Sequence, residues 1–122
     1  RQLNTVQECG EAAFTLVQQG AASTVAVSMG EQGAVLAQRH GVWHAPALEV
    51  PATTGTTGAG DCFLAALVWA LEHGDTPPEA LRWGVAAGAA ALLSPGTALA
   101  QAADIHRLHA QVPVPQVITV AR

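Results

Sequence analysis

Apolar residues along this chain switch between helical and strand-like spacing. Val6, Cys9, Ala13, Leu16 and Val17 recur at helical intervals. That spacing predicts a helix over residues 5–19, capped by Asn4 or Thr5 and ended by Gly20. Val25, Ala26 and Val27 form a short continuous apolar run, the pattern of a buried parallel strand. Ser28-Met29-Gly30-Glu31-Gln32-Gly33 reads as a tight turn. Residues 34–38 and 42–45 predict a hairpin around His40-Gly41, with Leu48 to Val50 as a further short strand.

The second half is helical in pattern. Cys62 to Leu71 has almost no polar face, which predicts a buried helix from Asp61 to His73, stopped by Gly74. Thr76-Pro77-Pro78-Glu79 is a capping-box start with proline at the first helical position, and the helix it opens runs to about Leu93. Gly84, Ala86, Ala87, Gly88, Ala89, Ala90 and Ala91 would allow that helix very close packing, or a flat ligand against it. A short helix from Asp104 to Ala110 and a last strand from Val117 to Val120 follow. These elements predict an α/β layered domain. Only one strand reads as central, too few for such long apolar helices, so the expectation is the C-terminal part of a larger protein.

Composition narrows the function classes. Half of the 122 residues are hydrophobic, 11% are charged, and the net charge is −4. No basic cluster offers a nucleic-acid surface. All five basic residues are arginine, and without a lysine there is no Walker-type phosphate loop in these residues. Cys9 and Cys62 are too few for a disulfide framework, which points to a reducing cytoplasm. His40 and His44 flank a turn, while His106 and His109 share a helical face. Lacking partners at ligand spacing, both pairs read as surface histidines. Neither apolar run is long enough for a bilayer, and no signal peptide is visible at the N-terminus.

The candidate chemistry lies in Thr56-Thr57-Gly58-Ala59-Gly60-Asp61, which runs into the helix at Phe63. A glycine-rich turn opening a helix aims unpaired backbone N–H groups at one spot, where the helix dipole favours negative charge. Gly58 and Gly60 let a phosphate approach the backbone closely. Asp61 in the first turn could take the proton from a substrate hydroxyl beside that phosphate. An anion cradle beside a carboxylate base suits phosphoryl transfer to an alcohol. Small residues followed by Asp are also an ordinary capping device.

Those residues resemble the PfkB family of carbohydrate kinases, which share the ribokinase fold. Gly58-Ala59-Gly60-Asp61 with Phe63 is similar to one family signature, and Ser28-Met29-Gly30-Glu31-Gln32-Gly33 to its nucleotide loop. The run Arg82 to Ala90 with Gly96-Thr97 is similar to the 6-phosphofructokinase, 1-phosphofructokinase and tagatose-6-phosphate kinase members. The resemblance implies the C-terminal part of a ribokinase-like layered α/β/α fold over residues 1–122, without its N-terminal sugar-binding and lid portion. It implies Asp61 as general base and the N–H groups of Gly58, Ala59, Gly60 and Asp61 as an anion hole. It places Ser28, Gly30 and Gly33 at the nucleotide phosphates and ribose, Val85 and Ala89 against adenine, and Thr53 on the loop opposite. Read without it, Ser28, Gly30 and Gly33 serve only a turn, and Val85 and Ala89 only helix packing.

The implied activity is ATP- and magnesium-dependent phosphorylation of fructose 6-phosphate or fructose 1-phosphate, in a cytoplasmic homodimer that binds neither nucleic acid nor membrane. The 122 residues alone are expected to be inactive. A monovalent cation would lie among backbone oxygens near Gly55, Thr57, Ala91, Ser94 and Gly96. Gly55 stands where the family usually has Asp, Asn or Ser, which weakens the expectation of potassium. Pro95 is a second departure, in a loop that commonly carries polar residues. Two alternatives stay open: a kinase of the same fold for an unphosphorylated sugar, nucleoside or vitamin, and a non-catalytic nucleotide-binding or regulatory protein.

Overall fold

The computed structural model describes residues 5–50, 59–93 and 102–120. Helix α1 (Val6–Gln18) begins where the Thr5 hydroxyl accepts the Glu8 N–H at 3.0 Å. The chain continues through β1 (Thr24–Ser28), a 3-10 turn (Gly30–Gln32), β2 (Ala34–Gln38) and β3 (Gly41–Ala45). Three helices follow, α2 (Ala59–Glu72), α3 (Pro77–Leu93) and α4 (Ala102–His109), and then the short strand β4 (Gln116–Ile118). No described helix is long and apolar enough to cross a membrane.

The strands form one antiparallel sheet in the order β1-β2-β3-β4. Its central strand β2 shows how the pleat builds two cores, since successive side chains point to opposite faces. Val35 and Ala37, with Val42 of β3 and Ile118 of β4, pack under Phe14, Ala13 and Val17 of α1. Ala34 and Leu36, with Ala45, pack against Phe63 and Leu67 of α2 and against Leu81, Val85 and Ala89 of α3. The result is helix, sheet, helix: the layered α/β arrangement that the pattern predicts.

Three expectations need correction. Val25, Ala26 and Val27 belong to a strand antiparallel to β2 and only partly buried, because Val25 and Val27 face α1 while Ala26 faces the other core. A short apolar run does not encode strand direction. Leu48 to Val50 form no strand; they leave the sheet as a loop after Pro46. Helix α2 is not buried all round. Phe63, Leu67 and Ala70 face the core, whereas Leu64, Val68 and Trp69 are 53%, 43% and 57% exposed.

Helices α2 and α3 pack closely because α3 carries glycine where α2 approaches. A Cβ at Gly84 would stand 2.9 Å from Cδ1 of Phe63, and one at Gly88 3.4 Å from the carbonyl oxygen of Ala59. This contact, rather than all-round burial, sets the N-terminal end of α2 beside the sheet.

Candidate functional site

Strand β1 ends at Ser28, and the chain turns at once. The Met29 N–H donates to the Gly33 carbonyl at 2.8 Å, the Gln32 N–H to Met29 at 3.1 Å, and the Gly33 N–H to Gly30 at 3.1 Å. Gly30 and Gly33 adopt φ values of +58° and +89°, a region glycine enters without steric cost. Gly33 lies directly on the backbone of Ala45 and Ala47, while a Cβ on Gly30 would meet nothing within 4 Å among the described residues.

Across from this turn, α2 starts at Ala59. Its first amides have no partner within the helix and sit at the positive end of the dipole. A Cβ on Gly60 would meet nothing within 4 Å among the described residues, so they leave the backbone there open to a ligand. Asp61 occupies the same first turn, is exposed, and makes no side-chain hydrogen bond or ion pair with the described residues. The carboxylate is therefore not held in a structural contact by them.

The third wall comes from α3. Val85 and Ala89 lie one turn apart on its cavity side, with Gly84 and Gly88 beside them. Ser28, Gly30, Gly33, Ala59, Gly60, Val85 and Ala89 all line one cavity of about 340 Å³. That volume suits a small-molecule ligand, which typically occupies about 300–1,000 Å³. Its lining combines apolar side chains (Leu48, Val85, Ala89, Leu92) with glycine positions and Ser28. Helix α3 takes α2 against Gly84 and Gly88, and its Val85 and Ala89 line the cavity.

Thr53, Gly55, Thr57, Gly58, Ser94 and Gly96 lie outside the described residues. Of the suggested cation set, only Ala91 is described; it is buried in the C-terminal part of α3. Among the described residues, no group of three or more His, Cys, Asp or Glu side chains could hold a metal ion. Ala47, Leu48, Phe63 and Leu92 line the cavity although sequence reasoning gave them no place there. The signal for Phe63 was present: Gly84 and Gly88, four residues apart, mark the groove that receives a bulky neighbour.

Comparison with known proteins fits this geometry. Residues 1–104 match the profile of the pfkB family carbohydrate kinases. The chain is 42% identical over 106 residues to an ATP-dependent 6-phosphofructokinase isozyme 2 of Mycobacterium tuberculosis, covering 87% of this chain and 31% of that protein. It is 34% identical over 105 residues to a 1-phosphofructokinase of Haloferax volcanii, covering 86% of this chain and 34% of the relative. The crystal structure of phosphofructokinase-2 from Escherichia coli in complex with potassium superposes with a TM-score of 0.83 at 33% identity. That superposition covers 91% of this chain and 36% of the other. The chain spans about a third of the length of the curated relatives it matches.

Proposed function

This chain belongs to the pfkB family of carbohydrate kinases, and we propose that it carries the nucleotide-binding and phosphoryl-transfer machinery of an ATP-dependent kinase for a sugar phosphate. The acceptor is a hydroxyl of fructose 6-phosphate or fructose 1-phosphate, giving the bisphosphate. Similarity to a 6-phosphofructokinase and a 1-phosphofructokinase supports a phosphorylated acceptor over an unphosphorylated sugar, a nucleoside or a vitamin.

The single observation that carries the reading is a convergence. A glycine turn, a helix N-terminus and a small-residue helix wall meet around one cavity, and the helix's first turn carries an exposed carboxylate with no partner among the described residues. The base of ATP lies against Val85 and Ala89, where only apolar atoms are offered. Its phosphates run toward Ser28 and Gly30 and end at the amides of Ala59 and Gly60, with Gly58 completing the anion hole. Asp61 accepts the proton of the acceptor hydroxyl as its oxygen attacks the γ-phosphorus in line, the bond from that phosphorus to the β–γ bridging oxygen breaks, and ADP leaves. The transferring group carries dispersed negative charge, so oriented amides that need no rearrangement supply much of the stabilisation.

Magnesium enters with the nucleotide phosphates. The described residues do not by themselves form a site for it. A monovalent cation, where one binds, would rest on backbone oxygens near Ala91.

The test is Asp61→Asn in the complete protein, assayed with ATP and fructose 6-phosphate or fructose 1-phosphate. The expected result is a fall in kcat of about 10²–10⁴-fold with acceptor KM little changed. Near-normal turnover would remove Asp61 as the base. Wild-type turnover confined to an unphosphorylated acceptor would reassign the substrate and leave the site intact. ATP binding without turnover in the wild type would favour a regulatory role.

A further inference from the structure

We propose that His44 is a positioning residue for the nucleotide site, fixing the turn between Ser28 and Ala34 in its ligand-ready shape. The inference rests on the nucleotide reading above. His44 does not line the cavity. It sits on β3, paired with Val35 of β2, and its Nε2–H donates to the carbonyl of Gln32 at 2.7 Å.

The reason this bond matters is that the turn is poorly determined from within. Backbone hydrogen bonds within the turn are accepted by Met29, Gly30 and Gly33, while the Gln32 carbonyl accepts from His44 on β3. Glu31 and Gln32 are exposed, and among the described residues nothing lies within 4 Å of the place a Gly30 Cβ would occupy. A turn containing two glycines has wide conformational freedom unless outside contacts remove it. The end of β3 supplies such contacts at two successive residues: Ala45 backs Gly33, and His44 holds the peptide just before it. Without the His44 bond the turn samples shapes that do not fit the nucleotide, and binding must then order it. Asp61 and α2 belong to a different wall, so the chemical step is unaffected.

The experiment compares His44→Ala, His44→Phe and His44→Gln in the complete protein. It measures kcat, KM for ATP, KM for the acceptor, direct ATP binding by calorimetry, and the urea midpoint. His44→Phe keeps a ring at the site without a donor, so it carries the test if His44→Ala fails to fold. We expect Ala and Phe to raise KM and Kd for ATP about three- to tenfold, the effect of one hydrogen bond. Values for kcat and acceptor KM should stay within about twofold. His44→Gln, whose amide nitrogen can donate to the same carbonyl, should recover most of the loss. Unchanged ATP affinity in His44→Phe, or a loss that Gln fails to recover, overturns the positioning role while the nucleotide site stands. Absence of ATP binding in the wild type overturns both.

Discussion

His109 places its Nε2 2.5 Å from Oε1 of Glu79, joining α4 to the first turn of α3. The His109 ring also stacks on Trp83 with centroids 3.7 Å apart. Arg82 completes the joint: it bonds Glu79 at 3.0 Å, the Val112 carbonyl at 2.9 Å and the His109 carbonyl at 3.0 Å. His109 is thus a packed joint residue, not the surface histidine its spacing predicts; only 18% of its side chain is exposed. His106 is exposed and meets the edge of Trp83.

This joint gives stability a defined acid dependence. Partial burial pushes the Glu79 carboxyl up, but hydrogen bonds from His109 and Arg82, aided by their charge, outweigh it and hold the group below its usual 4.5. A carboxyl with a lowered folded pKa stabilises the fold above the unfolded value. That contribution is lost as pH falls from 4.5 through the folded pKa. A third of the Glu79 side chain is exposed, so screening keeps the effect to about 1 kcal/mol or less. Urea midpoints of wild type and Glu79→Gln between about pH 6 and pH 3 should therefore converge on the acid side. A constant gap between the two curves would show that the carboxylate's ionisation has no part.

The apolar part of the cavity lining makes a separate prediction. Ala89 lines it with only a methyl group. Ala89→Leu extends an isobutyl group into space that the adenine requires, while keeping a good helix former. Expected is a rise of tenfold or more in KM for ATP, on the order of the loss of an apolar contact plus a steric clash. The acceptor KM should hold. An unchanged ATP KM in this variant would move the base away from α3.

How much was legible follows from which signals are local. Helices α1 and α3 carry their own start and stop chemistry at Thr5, Gly20 and Thr76, and their observed bounds match the periodicity closely. The β2–β3 hairpin was readable from the Arg39-His40-Gly41 break between two apolar runs. Strand direction at Val25 to Val27 was not, because it depends on which neighbour the strand pairs with. The exposed side of α2 was not either, since Leu64, Val68 and Trp69 are as apolar as the residues facing the core. At the site, Gly58-Ala59-Gly60-Asp61 stood out by composition, whereas Ser28 to Gly33 read as a turn and gained a site role only from the family resemblance. His44 did not stand out, because a hydrogen bond to a main-chain carbonyl on another element leaves no spacing pattern.

The two glycines of the turn should respond unequally to the same substitution. Both have positive φ, which for the left-handed conformation costs an alanine about 1–2 kcal/mol, and Gly33, with ψ at −137°, lies outside even that region. At Gly30 that cost is the whole effect the described residues impose, because among them an added methyl meets nothing within 4 Å. At Gly33 the new Cβ would stand 2.0 Å from the carbonyl oxygen of Ala45 and 2.9 Å from the Ala47 nitrogen. These are backbone atoms, and Ala45 is held in the β2–β3 ladder opposite Ala34, so the clash can be relieved only by moving the turn. Gly30→Ala should therefore lower stability by about 1–2 kcal/mol and keep most ATP binding, leaving only the methyl's contact with the ligand to tune it. Gly33→Ala should cost on the order of 3 kcal/mol or more and abolish ATP binding in any protein that still folds. Urea denaturation and calorimetric titration with ATP distinguish the two; equal losses would mean that the β3 exit does not confine the turn.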